Sequence, residues 1–297
     1  MKICIIGSKK RTESDNLLID TAQKFGEILY VPIEDISLLI DNGINFTYEY
    51  KNIIENDIIL FKIPKSKYSL AGMIIEALPE TTTLLNSPRC FYTCCSKIPF
   101  YEKLSRSEMN VPKSIFADNP QAAISDLKFL RFPVMIKVPT SNDKVMLANS
   151  EQEVRSMVDA LQVLKQPMFL EEYYPEAKVI SVLVLDGTVV AALERSPTGI
   201  NYSGGEIKQT KADRKVTNTS LKVAAVLNTE YAQVDILNTA EPTVIDVNLC
   251  PDVLMFSEII QKNIAEEIFS IAKQKFESNQ HIPEIAEKIK KVFKDVF

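Results

Sequence analysis

Late in the chain, "TVIDVNLCPD" (residues 243–252) places Asp246 and Asn248 two positions apart in an otherwise apolar, β-branched stretch. Alternate side chains of a strand share a face, so these two project together while Ile245 and Val247 point the other way. A carboxylate beside an amide oxygen is a hard donor set, and neither group is buried without a partner. The preceding "YAQVDIL" reads as a second strand, and if the chain turns over 238–242 with its pivot between 240 and 241, Asp235 falls opposite Asp246. Opposed carboxylates repel unless a cation lies between them. Two readings stay open: a magnesium site for a nucleotide, and the solvated polar face of an edge hairpin.

Lys137 closes the apolar run "FPVMIKV" with no carboxylate in its local sequence. It reads either as the binder of an anion brought from elsewhere, such as phosphate, or as a strand-end lysine snorkelling to solvent. Metal chemistry of the zinc type is excluded, because five scattered cysteines (Cys4, Cys90, Cys94, Cys95, Cys250) are accompanied by one histidine, His281, which reads as a surface-loop residue. The chain opens on the strand-like "MKICIIG" rather than a signal peptide, so reduced thiols and a cytoplasmic location are expected.

The elements that must position these groups are legible in outline. "KICIIG", an amphipathic helix ending at Gly26, "EILYVPI" and "DIILFKIP" make an alternating α/β lobe over residues 1–87, without the G-x-G-x-x-G of a dinucleotide loop. A helical connection follows over 88–112. Residues 113–172 read as a small α+β unit, two strands flanking one helix. Residues 173–297 hold a hairpin turning at Asp186-Gly187, a helix near 218–228, the acidic hairpin, and a helical end with an apolar stripe of Ile282, Ile285, Ile289, Val292, Phe293 and Val296. The 297 residues, 46% hydrophobic and 25% charged, suit a globular chain of two or three lobes. A net charge of −5 gives no broad footprint for nucleic acid, and no apolar run is long enough to span a membrane.

The ordered series "CSKIPFYEKLSRSEMNVPKS", "FPVMIKV", "FLEEYYPEA", "LDGTVVAALER", "NYSGG" and "VDIL…VIDVNLCP" resembles the RimK-like branch of the ATP-grasp superfamily, from about residue 85 to 270. The resemblance implies an α/β ATP-grasp fold with α+β lobes, behind an N-terminal pre-ATP-grasp domain. It implies an ATP-dependent carboxylate–amine ligase that works through an acyl phosphate, joining an amino acid to a small-molecule or peptide carboxylate. ATP and magnesium, with manganese as an alternative, would be its cofactors, and a homodimer or homotetramer its assembly. Lys97, which lies fifteen residues before Pro112, and Lys137 match the family's two phosphate-binding lysines, with Lys103 a less well-placed competitor for the first. Glu171, Glu172, Tyr173 and Tyr174 resemble the hinge whose backbone holds adenine, and Glu176 the acid that takes the ribose. Arg195 resembles the catalytic arginine that stabilises the transferring phosphoryl, and Asn201 with Gly204 and Gly205 the loop beside the substrate. Asp235, Asp246 and Asn248 fall on the magnesium ligands, with Asp246 where the family usually has Glu.

Three departures mark this chain. "KVPTSNDKVML" lacks the glycines of the family's phosphate-closing loop, leaving Lys144, Thr140 and Ser141 as substitutes. Val179 and Ser181 stand where relatives carry an acid and an arginine, and Asp252 where glycine is frequent. These changes favour a ligase of altered substrate. The alternatives are a nucleotide-binding regulatory protein on the same fold and a small-molecule kinase.

Overall fold

The computed structural model describes residues 1–40, 44–49, 51–137, 145–162 and 167–294. The chain starts with β1 (Lys2–Gly7), α1 (Glu13–Ala22) and β2 (Glu27–Pro32). Thr12 sets the start of α1 through a capping box: its Oγ1 accepts from the Asp15 amide at 3.2 Å, and Asp15 accepts from the Thr12 amide at 2.6 Å. Between β2 and the next parallel strand the chain makes a small antiparallel sheet of β3 (Ser37–Ile40), β4 (Ile44–Tyr48) and β5 (Lys51–Asn52), which the sequence reading did not anticipate. Then β6 (Ile58–Lys62) joins β1 and β2 in a parallel sheet of order β2-β1-β6, and α2 (Tyr68–Glu76) follows. Ile3, Cys4, Ile5 and Ile6 are all buried, as expected of a central parallel strand covered on both faces.

Two short helices, α3 (Pro88–Cys94) and α4 (Lys97–Arg106), lead into a second sheet. Its members are β7 (Ser114–Ala117), β8 (Val134–Lys137), β9 (Val145–Ala148) and β10 (Met168–Glu172), antiparallel in the order β7-β10-β8-β9. Helices α5 (Pro120–Asp126) and α6 (Glu151–Gln162) cover it, enclosing a core around Val134, Ile136, Val154, Val158 and Leu170. Among the described residues, the expected pair of strands and single helix become four strands and two helices. The missed strands have four residues each, too few to display a period. Thr140, Ser141 and Lys144 lie outside the described residues.

The largest sheet, antiparallel in the order β13-β12-β11-β14-β15, comprises β11 (Val179–Leu185), β12 (Thr188–Arg195), β13 (Ile207–Gln209), β14 (Tyr231–Leu237) and β15 (Thr243–Asn248). Its inner face packs on α7 (Arg214–Leu227), which is capped by Asp213 accepting from the Val216 amide at 2.8 Å and ends on the left-handed Asn228. Helices α8 (Val253–Ile260) and α9 (Ile264–Lys294) return to pack on α1. His281 falls within continuous α9 and not in a loop; its side chain and the apolar stripe beyond it lie outside the described side chains. One core runs without a break from Cys4 and Phe61 through Tyr68, Phe91 and Phe100 to Val182, Val234 and Val247.

Candidate active site

Strands β14 and β15 pair Asp235 with Asp246, the register that the hairpin reading requires. The ladder then slips, leaving Ile245 unopposed in a β-bulge. The spare Ile245 carbonyl accepts from Lys97 Nζ and, at 3.2 Å, from the Tyr101 hydroxyl. Asp235 Oδ1 accepts from Ser181 Oγ at 2.6 Å and Gln233 Nε2 at 2.7 Å. Burial pushes the Asp235 carboxyl up from its ordinary value, against the pull of those two donors.

Asp246 behaves oppositely. Lys65, on the turn between β6 and α2, and Lys97, the first residue of α4, both place Nζ on its Oδ1, Lys97 at 3.1 Å. Burial would raise this carboxyl too, but the two ammonium groups outweigh it and hold it well below the usual carboxylate range. Burial lowers Lys97, with Lys65 and Lys137 adding to the effect, whereas the attraction of Asp246 overcomes burial at Lys65 and raises it. Each ammonium lies 5.8 Å from the Phe100 ring centroid, so one ring and one carboxylate oxygen hold both. Lys103, in the last turn of α4, makes no ion pair among the described residues.

The partner of Lys137 is a side chain of its own sheet. Phe169 pairs with Lys137 and Glu171 with Met135, so Lys137 and Glu171 are diagonal neighbours on one face. Their ion pair measures 2.9 Å, and the Glu171 side chain is only 1% exposed. Glu171 also accepts from the Tyr101 hydroxyl at 2.9 Å. Glu172 points away from this pair, accepting from the Arg131 amide at 2.9 Å and the Tyr174 hydroxyl at 3.2 Å. Tyr173 stacks tilted on Tyr202 at 5.1 Å, and the Tyr202 hydroxyl accepts from the Tyr174 amide at 3.0 Å. Glu176 is exposed beyond them.

Arg195 ends β12 two residues after Leu193, which pairs with Ser181, so it shares the face of Ser181 and Asp235. Its Nε is buried without a hydrogen-bond partner among the described residues, an orphan donor that an anion would satisfy. The loop after it doubles back through Gly204 and Gly205, both at positive φ, while exposed Asn201 accepts from Ser203 Oγ. A cavity of about 380 Å³ opens at the carboxyl ends of β1 and β6, lined by Lys10, Lys62, Lys65, Asp235, Asp246 and Asn248. Sequence reasoning missed Lys62, Lys65 and Tyr68. The available signal was position: open parallel sheets bind ligands beyond the carboxyl ends of their strands, where "KIPK" lies.

As magnesium donors, Asp235 and Asp246 fit: they are opposed hard carboxylates, each hydrogen-bonded through Oδ1. Asn248 does not fit as it stands, because its Oδ1 accepts from the Tyr68 hydroxyl at 3.0 Å and the Cys250 amide at 2.9 Å, engaging both lone pairs. It ties β15 to α2 instead. Among the described residues no helix is long and apolar enough to cross a membrane.

Residues 96–272 match the RimK-like ATP-grasp domain. A relative from a Marinomonas species, named "Probable alpha-L-glutamate ligase", is 25% identical over 90% of this chain and 94% of its own length. One of the same name from Desulfotalea psychrophila is 24% identical over 96% of this chain, which spans 64% of that relative's length. Among solved structures, the ATP-grasp ligase PsnB complexed with minimal precursor, Mg and ADP superposes with a TM-score of 0.70 at 14% identity, covering 92% of this chain and 97% of PsnB. That similarity establishes the fold.

Proposed function

Because the chain belongs to the RimK-like ATP-grasp family, we propose that it is an ATP-dependent carboxylate–amine ligase joining an amino acid to a small-molecule or peptide carboxylate. The observation that carries this reading is one continuous polar chain between two sheets: Lys137, Glu171, Tyr101, the Ile245 carbonyl, Lys97 and Asp246. A polar network in an otherwise apolar seam is costly unless its members find partners, and each member of this one has a partner within it. It holds two ammonium groups ready for transfer to phosphate oxygens.

When bound, ATP would supply the phosphoryl group that activates the acid, leaving ADP, and magnesium would offset its charge, with Asp235 and Asp246 as the protein's metal ligands. Lys97 and Lys137 would offset charge on the phosphates, and Arg195 would direct its unpartnered Nε at the acyl phosphate oxygens. Tyr173 and Tyr174 border the hinge that would hold adenine, with Glu176 toward the ribose and Asn201 toward the acceptor. The amine then attacks the acyl carbon, phosphate leaves, and an amide forms. No side chain need become covalently attached.

The engaged lone pairs of Asn248 favour a second reading, a nucleotide binder without turnover. Coupled ADP release, screened with carboxylic acids and amino acids separately and together, distinguishes the two. Release that requires both an acid and an amine supports the ligase; tight ATP binding with no release under any pairing supports the binder.

A further inference from the structure

Asp246 holds two ammonium groups on one carboxylate oxygen. Among the described residues the facing Asp235 accepts only from neutral donors, Ser181 and Gln233, so both lysines are held through Asp246. The two lysines differ in what else holds them. Lys97 belongs to the polar chain that leads to Lys137, and under the ligase reading it leaves for phosphate. Lys65 comes from the opposite lobe, with its Nζ also 3.5 Å from the Val247 carbonyl and over the Phe100 ring, and its side chain only 28% exposed. It has no place in the phosphate-binding set derived above.

We propose that Lys65 is the resident cation of the acidic hairpin: its ammonium holds Asp246 where a divalent ion would otherwise bind, so that metal enters only together with nucleotide. Like charges at close range in a half-buried site repel strongly, so a metal ion approaching Asp246 alone meets two ammonium groups. A nucleotide polyphosphate reverses that balance by drawing Lys97 away and bringing negative charge of its own. Lys65 therefore acts as a positioning residue, compensating the hairpin between turnovers and setting the order in which ligands arrive. The role of nucleotide here rests on the ligase reading; the exclusion of free metal does not.

The test is a Mn²⁺ titration of the nucleotide-free, full-length chain followed by electron paramagnetic resonance, on wild type, Lys65→Met and Lys65→Arg. Wild type and the arginine variant are expected to take up no specifically bound ion. Lys65→Met is expected to bind a single Mn²⁺, at least about tenfold more tightly than the weak, nonspecific uptake of wild type, and to lose it again when Asp246→Asn is added. Equal affinity of wild type and Lys65→Met overturns the proposal, as does uptake by the arginine variant. If Lys65→Met does not fold, the wild type still decides, since tight Mn²⁺ binding without nucleotide contradicts the proposal. Failure of the ligase reading would appear separately, as absent ADP release, and would leave the titration unchanged.

Discussion

Asp235 and Asp246 face each other across one strand pair and yet titrate in opposite directions. The Asp246 carboxyl is held below its ordinary value of 3.8, so its ionised form stabilises the fold. That contribution is full above 3.8 and is lost as pH falls toward the folded-state value. Asp235 is raised, so the native state retains its proton where the unfolded chain has lost it, and its ionisation destabilises the fold until pH falls through its folded-state value. Denaturation over a pH series should therefore show the stability gap between wild type and Asp246→Asn narrowing in acid, while the gap for Asp235→Asn moves in the opposite sense. In the second sheet, Lys137→Ala strands the buried Glu171 and is expected to cost about 3–5 kcal/mol, whereas Lys103→Ala should stay within about 0.5 kcal/mol; urea denaturation checks both. Substituting Arg195 by Met should lower kcat about 10²–10³-fold with little change in nucleotide affinity. The opposition of Asp235 and Asp246 was legible from a pivot between 240 and 241, but the turn pairs Leu237 with Thr243 and Ile236 with Val244, and it is the bulge at Ile245 that brings Asp235 opposite Asp246. Lys65 was not legible, because 181 residues separate it from the carboxylate it holds.

At the scale of elements, apolar runs with a clear period were readable: β1, β2, β6, the β11–β12 hairpin and the acidic hairpin all fall where the sequence places them. What escaped were elements too short to show a period, such as β7 and β9, and the edge sheet β3-β4-β5, whose β3 leaves Leu38, Leu39 and Ile40 exposed. The partner of Lys137 escaped for a related reason, since the diagonal to Glu171 exists only once β8 and β10 are known to be neighbours. The loop that follows β12 makes its own demand on sequence. At Gly205, with φ of +82°, an added Cβ would lie 2.0 Å from the Ser196 carbonyl oxygen, next to Arg195. Gly205→Ala should thus cost about 1–3 kcal/mol and lower turnover by displacing Arg195, which a thermal melt combined with an activity assay would show.

For the whole molecule, the lobe that precedes the family match is part of the same core. One buried cluster joins Phe61, Tyr68 and Phe91 to Val234 and Val247, and the Tyr68 hydroxyl bonds both Asn248 and the Leu249 amide. A fragment of residues 88–297 should consequently lose cooperative melting and bind a hydrophobic dye; a sharp two-state transition would show that the contacts are dispensable. The same junction brings Lys65 to the hairpin, so the site is assembled by two lobes whose sequences lie far apart. The ligase proposal has this assembly activate a carboxylate as an acyl phosphate. Its most direct test supplies the acid with heavy oxygen in the carboxylate and follows the label by mass spectrometry of the released phosphate. Transfer of labelled oxygen to inorganic phosphate, dependent on the amine, is the expected result; unlabelled phosphate, or AMP as the nucleotide product, would rule out an acyl phosphate formed from ATP.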